Sequence, residues 1–458
     1  MDCHNAAIPV IIILKYFMVH NVIKMFKYFR LAVFIAILLI GILSLVSGAQ
    51  APRVTVLEVK GAINPVLADY IRDGIENSEQ NGDAACIIQM DTPGGLDTAM
   101  RDIVQSITNA RVPVVVYVAP SGGRAASAGV FITMSAHVAA MAPNTAIGAA
   151  HPVSLGGEEI APDMAEKIVN DAAAYIRSIA EARGRNADWA EQAVRESVSI
   201  TETEAVEMNV VDLTAPTLDD LLQQLNGRTV TLIDGSTVVM NTESAEINTT
   251  SMNWIQDFLY TISDPNIAYI LLSIGSLGIM AEIFNPGLIF PGIIGAISLL
   301  LAFYSLGTLP VNWTGVLLII LAFGLFVAEF FTSGFGLLFG GGIVAFVIGS
   351  LILFQGGAPV FQIDWWLVIL VVIIIAGFVA FAVFKIAGTY RRQATTGKED
   401  LMGKKAVVRQ PLNPEGTVFY RGELWTAVSE SGKIDSGEEV IISQIDGLKL
   451  IVTKKSKE

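Results

Sequence analysis

Apolar and polar positions change their rhythm along the chain. From Val54 to Met141, short apolar runs alternate with stretches of helical period. Val54–Val59 predicts a strand, and Pro65–Ser78 a helix with Pro65 in its first turn. Ala84–Met90 predicts a second strand. Leu96–Ala110 predicts a helix with Leu96, Met100, Ile103 and Ile107 on one face. Val112–Val118 is a continuous apolar strand, Ser127–Ala136 a small-residue helix and Val138–Met141 a short strand. Strands that alternate with helices and are apolar throughout predict an α/β fold with a largely parallel sheet. Ligands in such sheets bind beyond the carboxyl ends of the strands.

The rhythm then becomes continuously apolar. No Lys or Arg occurs from Thr229 through Phe384, which predicts a membrane domain. Five spans of roughly 20 residues are readable, at 267–284, 288–307, 314–331, 336–354 and 366–385. Trp254, Trp313, Trp365 and Trp366 fall near span ends, as interfacial aromatics do. Ala281-Glu-Ile-Phe-Asn-Pro-Gly287 recurs as Ala328-Glu-Phe-Phe-Thr-Ser-Gly334, and Gly295 corresponds to Gly342. Glu282 and Glu329 therefore occupy equivalent places near span ends, where capping or an interfacial role is expected. Beyond the spans the rhythm shortens to alternation over Lys405–Arg409, Gly416–Tyr420, Leu424–Val428, Glu439–Ser443 and Leu448–Val452. Five short strands in that length predict a small closed all-β barrel of OB type.

At the other end, Leu31–Gly48 is apolar, follows Lys24, Lys27 and Arg30, and runs into the small-residue segment Ser47–Ala51. This reads as a secretory signal with cleavage near Ala51, or else as an uncleaved anchor. Met25 would begin a signal of ordinary length, so residues 1–24 are expected to be a misassigned start. Either reading puts the next domain outside. Five spans then put the C-terminus inside, and Lys385, Arg391, Arg392 and Lys398 agree with that orientation. The expected organisation is a signal or anchor over 1–51, an α/β domain over 52–245, a membrane domain over 246–395 and a barrel over 396–458.

Charge narrows the partners. The chain of 458 residues carries a net −14, which argues against nucleic acid, because phosphate binding needs clustered Lys and Arg. Cys3 and Cys86 are the only cysteines. Cys86 lies in a strand pattern and reads as a core residue, so neither a disulfide framework nor a thiolate metal site is supported.

The chemistry concentrates in two glycine turns. Asp91-Thr-Pro-Gly-Gly95 and Pro120-Ser-Gly-Gly-Arg-Ala-Ala-Ser127-Ala-Gly129 both follow strands. Ser127 at a helix start has N–H groups and the positive dipole end nearby. The N–H groups of Gly95 and Ala128 are candidate oxyanion donors, each typically worth about 3 kcal/mol of barrier lowering. Packing corners are the plainer reading of either turn alone. A serine needs a base. Lys167 is one candidate, although a helical lysine is ordinarily a solvated charge and must be desolvated to lose its proton near neutrality. His151, in Gly148-Ala-Ala-His-Pro152, is the alternative base. His137 reads as structural, as does Asp212.

These turns, with Met141-Ala-Pro-Asn-Thr-Ala-Ile-Gly148, Tyr175-Ile-Arg-Ser178, Gly184-Arg-Asn186, Ser263-Asp-Pro-Asn-Ile-Ala-Tyr269, Asn413-Pro-Glu-Gly416 and Arg421-Gly-Glu-Leu-Trp425, run almost end to end. In them the chain resembles the long form of the NfeD family, membrane-bound serine proteases of the ClpP/crotonase class often encoded beside a stomatin. The resemblance implies a Ser–Lys dyad of Ser127 and Lys167, with Gly95 and Ala128 at the oxyanion positions. It implies an OB fold for the tail. It also implies apolar substrate segments, such as the C-terminal region of a partner stomatin. Soluble ClpP-type proteases keep a Ser127–His151 pair open as the rival mechanism. The segment Val153–Glu159 does not match the family cleanly.

The leading expectation is thus an ATP-independent membrane-tethered serine endopeptidase, since no Walker-type loop is present. It needs no cofactor, and its expected partners are a stomatin-like protein, membrane lipid and further copies of itself in a homodimer or larger assembly. An acyl-CoA-handling crotonase is opposed by the secretory signal. A scaffold for stomatin-like assemblies, with an idle dyad, is the non-enzymatic alternative.

Overall fold

A computed structural model describes residues 7–45, 51–153, 161–332, 336–354, 361–390 and 401–455. Residues 47–50 of the expected cleavage segment and most of the 153–159 segment lie outside them. Helix α1 (Ala7–Leu45) precedes β1 (Arg53–Lys60), α2 (Pro65–Asn81), β2 (Ala85–Asp91), α3 (Asp97–Thr108), β3 (Val114–Val118), β4 (Arg124–Ala126), α4 (Ala128–Ser135), β5 (Val138–Met141) and β6 (Ala146–Gly148). There follow α5 (Pro162–Ala182), α6 (Ala187–Arg195), β7 (Ser199–Thr201), α7 (Glu202–Glu207), β8 (Leu213–Thr214), α8 (Leu218–Leu225), β9 (Thr229–Thr231), β10 (Thr237–Val239), β11 (Glu246–Thr250) and α9 (Trp254–Ile262).

Six strands form one sheet in the order β11-β1-β2-β3-β5-β8, every pair parallel. Its continuous apolar strands follow from burial on both faces. On one face Val56, Ile87, Val115 and Ala140 pack with Leu221, Leu222 and Leu225 of α8. Each large aliphatic buried there contributes about 1.5–3 kcal/mol. The alternate positions face α2, where Gly74 has no room for a side chain because Leu57 fills the space. The helix starts follow from their caps: Asn64 accepts the Leu67 N–H and Pro65 opens α2. Strand β11 extends the sheet past residue 245, in register from Arg53↔Glu246 to Leu57↔Thr250. A second sheet, β4-β6-β7, was not expected from the residues; β4 and β6 run parallel beside Ser127.

The chain divides into two compact units, Met1–Leu317 with Ile348–Asp364, and Leu318–Val347 with Trp365–Glu458. Apolar helices α10 (Pro265–Phe284), α11 (Ile289–Thr308) and α12 (Trp313–Phe331) are each long enough to cross a membrane. Asp264 caps α10 by accepting the Asn266 and Ile267 N–H groups. Among the described residues α13 (Leu337–Ile352) and the Trp365–Phe381 part of α14 (Trp365–Tyr390) are shorter apolar helices.

In the second unit the tail folds into β12 (Lys405–Gln410), β13 (Glu415–Tyr420), β14 (Glu423–Ser429), β15 (Glu439–Asp446) and β16 (Lys449–Lys454). They close into a barrel in the order β12-β13-β14-β16-β15. The alternation seen in the sequence fills its interior with Val408, Val418, Ala427, Val440, Ile442, Leu450 and Val452.

Candidate active site

The two glycine turns are laced together. The Thr92 N–H donates to the Arg124 carbonyl at 2.8 Å, and the Ala126 N–H returns to the Thr92 carbonyl at 3.1 Å. The Arg124 N–H donates to Asp91 Oδ1 at 3.0 Å. Thr92 Oγ1 accepts the Gly94 N–H at 3.0 Å, which shapes the turn. Gly94 has φ +113°, and a Cβ there would lie 2.6 Å from Ser127 Cβ. The first turn is therefore glycine-rich because the serine sits against it.

Ser127 ends β4's extension and precedes α4. Its backbone is at φ 51°, ψ −114°, a conformation an L-residue adopts only when its neighbours impose it. The imposing bond is its N–H to the Gly148 carbonyl, 3.1 Å away. Gly148 is itself at φ +147° and pressed against Val198 and Ser199. Such a strained strand-to-helix corner presents a serine hydroxyl outward in nucleophile elbows. Ser127 is half-buried and Ala128 buried.

Neither the Gly95 N–H nor the Ala128 N–H donates to a protein acceptor among the described residues. Ala128 is the first residue of α4, where the N–H has no intrahelical acceptor. Gly95 is framed by Ile63: the Ile63 N–H donates to the Gly94 carbonyl and the Leu96 N–H to the Ile63 carbonyl, both at 2.9 Å. A Cβ on Gly95 would run into the Ile63 backbone. The bridge between Ile63 and Gly95 therefore requires glycine at this position.

Lys167 lies near the start of α5 and is exposed. It makes no hydrogen bond among the described residues. Helix α5 rests on α4 through Tyr175 and Phe131, whose rings stack with centroids 6.0 Å apart. His151 follows β6, and its Nδ1 lies 2.8 Å from the Val194 carbonyl at the end of α6. A neutral imidazole there donates from Nδ1 and keeps Nε2 as acceptor.

Sequence reasoning missed what holds the far end of α4. Arg185, nearly fully buried, donates from Nη1 to the Met134 and Ala136 carbonyls, each at 2.8 Å. Arg183 Nε donates to the Ser135 carbonyl at 2.8 Å. Two guanidinium groups thus meet the negative end of the helix whose positive end carries Ser127. The Gly184-Arg-Asn186 motif was the available signal.

A parallel α/β sheet with a serine at a strained helix entry and two unengaged N–H groups is the arrangement a serine hydrolase requires, here in a chain that also carries apolar helices and a β-barrel. Residues 53–249 match the NfeD1b N-terminal domain, 266–385 the NfeD integral membrane domain and 398–454 the NfeD-like C-terminal, partner-binding domain. The chain is 38% identical over 416 residues to the membrane-bound protease PH1510 of Pyrococcus horikoshii, covering 88% of this chain and 94% of that protein. It is 29% identical over 453 residues to membrane protein NfeD1b of Bacillus subtilis, covering 93% and 98%. A solved structure of a membrane-bound stomatin-specific protease, a lysine-to-alanine mutant in complex with a substrate peptide, is 35% identical. It matches 46% of this chain and 98% of that chain, with a TM-score of 0.43. The chain belongs to the NfeD family, and within it to the membrane-bound serine proteases.

Proposed function

We propose that Ser127 attacks a peptide carbonyl, with Lys167 as base and the Gly95 and Ala128 N–H groups holding the oxyanion. Lys167 Nζ, acting as general base, takes the Ser127 Oγ proton. The tetrahedral oxyanion forms between the two N–H groups. The lysine ammonium then protonates the leaving amine, and water, deprotonated by the same lysine, hydrolyses the acyl-enzyme. The observation that carries this reading is the Ser127 backbone at φ 51°, flanked by two N–H groups without acceptors.

The resemblance adds the rest. The domain is of ClpP/crotonase class and the tail barrel an OB fold that binds a partner. The five apolar helices from α10 to α14 all span, with the protease domain outside the cell membrane and the tail in the cytoplasm. The substrate is an apolar segment of a stomatin-like membrane protein, cut without ATP, by a homodimer or larger assembly. Relatives described as stomatin-specific support that substrate. The scaffold alternative predicts partner binding without cleavage. Incubating the chain with an apolar peptide discriminates: cleavage lost in Ser127→Ala supports the protease, whereas cleavage retained by that variant sinks the assignment of Ser127.

A further inference from the structure

Helix α9 lies between the protease sheet and the first apolar helices, and it is attached to both. Tyr260 Oη donates to the Lys60 carbonyl at 3.0 Å, with the Ala62 carbonyl at 3.3 Å. Gly61 sits under that hydroxyl at φ +100°, and a Cβ there would lie 2.6 Å from the Tyr260 oxygen. The backbone held in this way is the frame of the site. The Gly61 N–H donates to the Asp91 carbonyl at 3.0 Å, and Ile63 brackets Gly95 on both sides.

On its other end α9 is tied to α11. Ser305 Oγ donates to the Ile262 carbonyl at 2.6 Å, and Thr308 Oγ1 to Ser263 Oγ at 3.1 Å. Only Ser263 and Asp264 separate α9 from α10, so α9 lies at the level where α10 enters the bilayer. Its outward face is apolar: Trp254, Ile255 and Phe258 are 79%, 49% and 44% exposed. A helix with one apolar face, beginning with Trp and continuous with a membrane-entering helix, fits the headgroup layer of that bilayer.

We infer that α9 is a lipid-seated strut, and that Tyr260 is a positioning residue through which the bilayer holds the Lys60–Ile63 backbone, and hence Gly95, in oxyanion geometry. Tyr260 does not touch the reacting atoms. It acts through two peptide units, where displacements below 1 Å cost rate rather than binding. The inference rests on the assignment of Gly95 as an oxyanion donor.

The test uses the full chain in phosphatidylcholine vesicles with an apolar peptide substrate, reading kcat and KM separately and the melting temperature of each variant. Tyr260→Phe, which removes one hydroxyl and keeps the ring, is expected to lower kcat about tenfold or more, with KM within twofold and melting unchanged. The double variant Trp254→Ser, Phe258→Ser is expected to lower kcat similarly. Asp73→Ala, which removes the contact of Asp73 Oδ2 with Gln256 on another side of α9 (3.3 Å), is expected to leave kcat in place. Unchanged kcat in Tyr260→Phe, or an equal loss in Asp73→Ala, overturns the strut. Ser127→Ala separates the two readings: residual cleavage there sinks the site itself, whereas full loss there with normal Tyr260→Phe sinks only the strut.

Discussion

Arg185 Nη2 donates to Asp212 Oδ2 at 2.6 Å, and the same carboxylate oxygen accepts the Ala139 N–H at 2.6 Å. One buried guanidinium therefore joins the start of β5, the turn before β8 and the end of α4. Removing it leaves Met134 and Ala136 carbonyls without donors and Asp212 without its counter-charge. Arg185→Ala is expected to cost about 3 kcal/mol, seen as a lower melting temperature, and to lower cleavage as α4 shifts Ser127. Arg185→Lys should recover only part, because an ammonium cannot reproduce the fork. Wild-type melting in Arg185→Ala would refute the clamp.

His137 gives the domain a pH dependence. Burial first, and then the charges of Arg183 and Arg185, push its pKa down to about 3. Its Nδ1 accepts the Val114 N–H at 3.2 Å, so the neutral ring suits the site. Below about pH 6.5 the unfolded chain binds a proton that the folded chain refuses, so stability falls as pH drops from 6.5 towards 3. The contribution is at most ~1.4 kcal/mol per pH unit. His137→Gln should melt with a shallower pH slope across that window; identical slopes would remove His137 as the cause.

The base is decided by a pair of variants. Lys167→Ala should abolish cleavage, by about three orders of magnitude or more, while His151→Ala should leave most of it, even though its bond to the Val194 carbonyl leaves Nε2 free to accept a proton. The reverse pattern in peptide turnover would reassign the base to His151.

The equivalent membrane-end carboxylates are not equal. Glu329 Oε1 accepts the Gly336 N–H at 2.7 Å, and Oε2 accepts those of Leu338 and Phe339 at 3.0 and 3.2 Å, capping α13. Glu282 accepts only the Gly287 N–H at 3.4 Å, and its Oε2 is buried without a partner among the described residues. The cause is in the repeat: nine residues after Glu282 stands Pro291, which has no N–H, where Leu338 stands after Glu329. Glu329→Ala should lower the melting temperature in detergent by a cap's worth, about 1–2 kcal/mol, and Glu282→Ala by much less. Equal losses would contradict the capping account.

What the residues disclosed was whatever their own period encoded. The seven elements between Val54 and Met141 and the five barrel strands each carry an apolar rhythm, and each formed within a few residues of its reading. Strands β4, β6 and β7 span three residues apiece and exist because their neighbours pair with them, which no local pattern records. Strand β11, Glu246-Ile-Asn-Thr-Thr250, is mostly polar because it is an exposed edge. Ser127 was legible as a serine in a glycine corner, but the carbonyl that strains it belongs to Gly148. Arg185 was visible only as part of the Gly184-Arg-Asn186 motif, since the acceptors that bury it come from a helix some fifty residues earlier.

Because β11 runs parallel to β1, the chain leaves the sheet for the bilayer at the same edge where β1 and β2 deliver Ile63 and Gly95. If the substrate is the membrane-anchored segment proposed above, it would reach the serine by lateral diffusion, a search in two dimensions rather than three. Its encounter rate then follows its density per unit membrane area, so turnover should depend on the protein-to-lipid ratio and stay indifferent to bulk dilution.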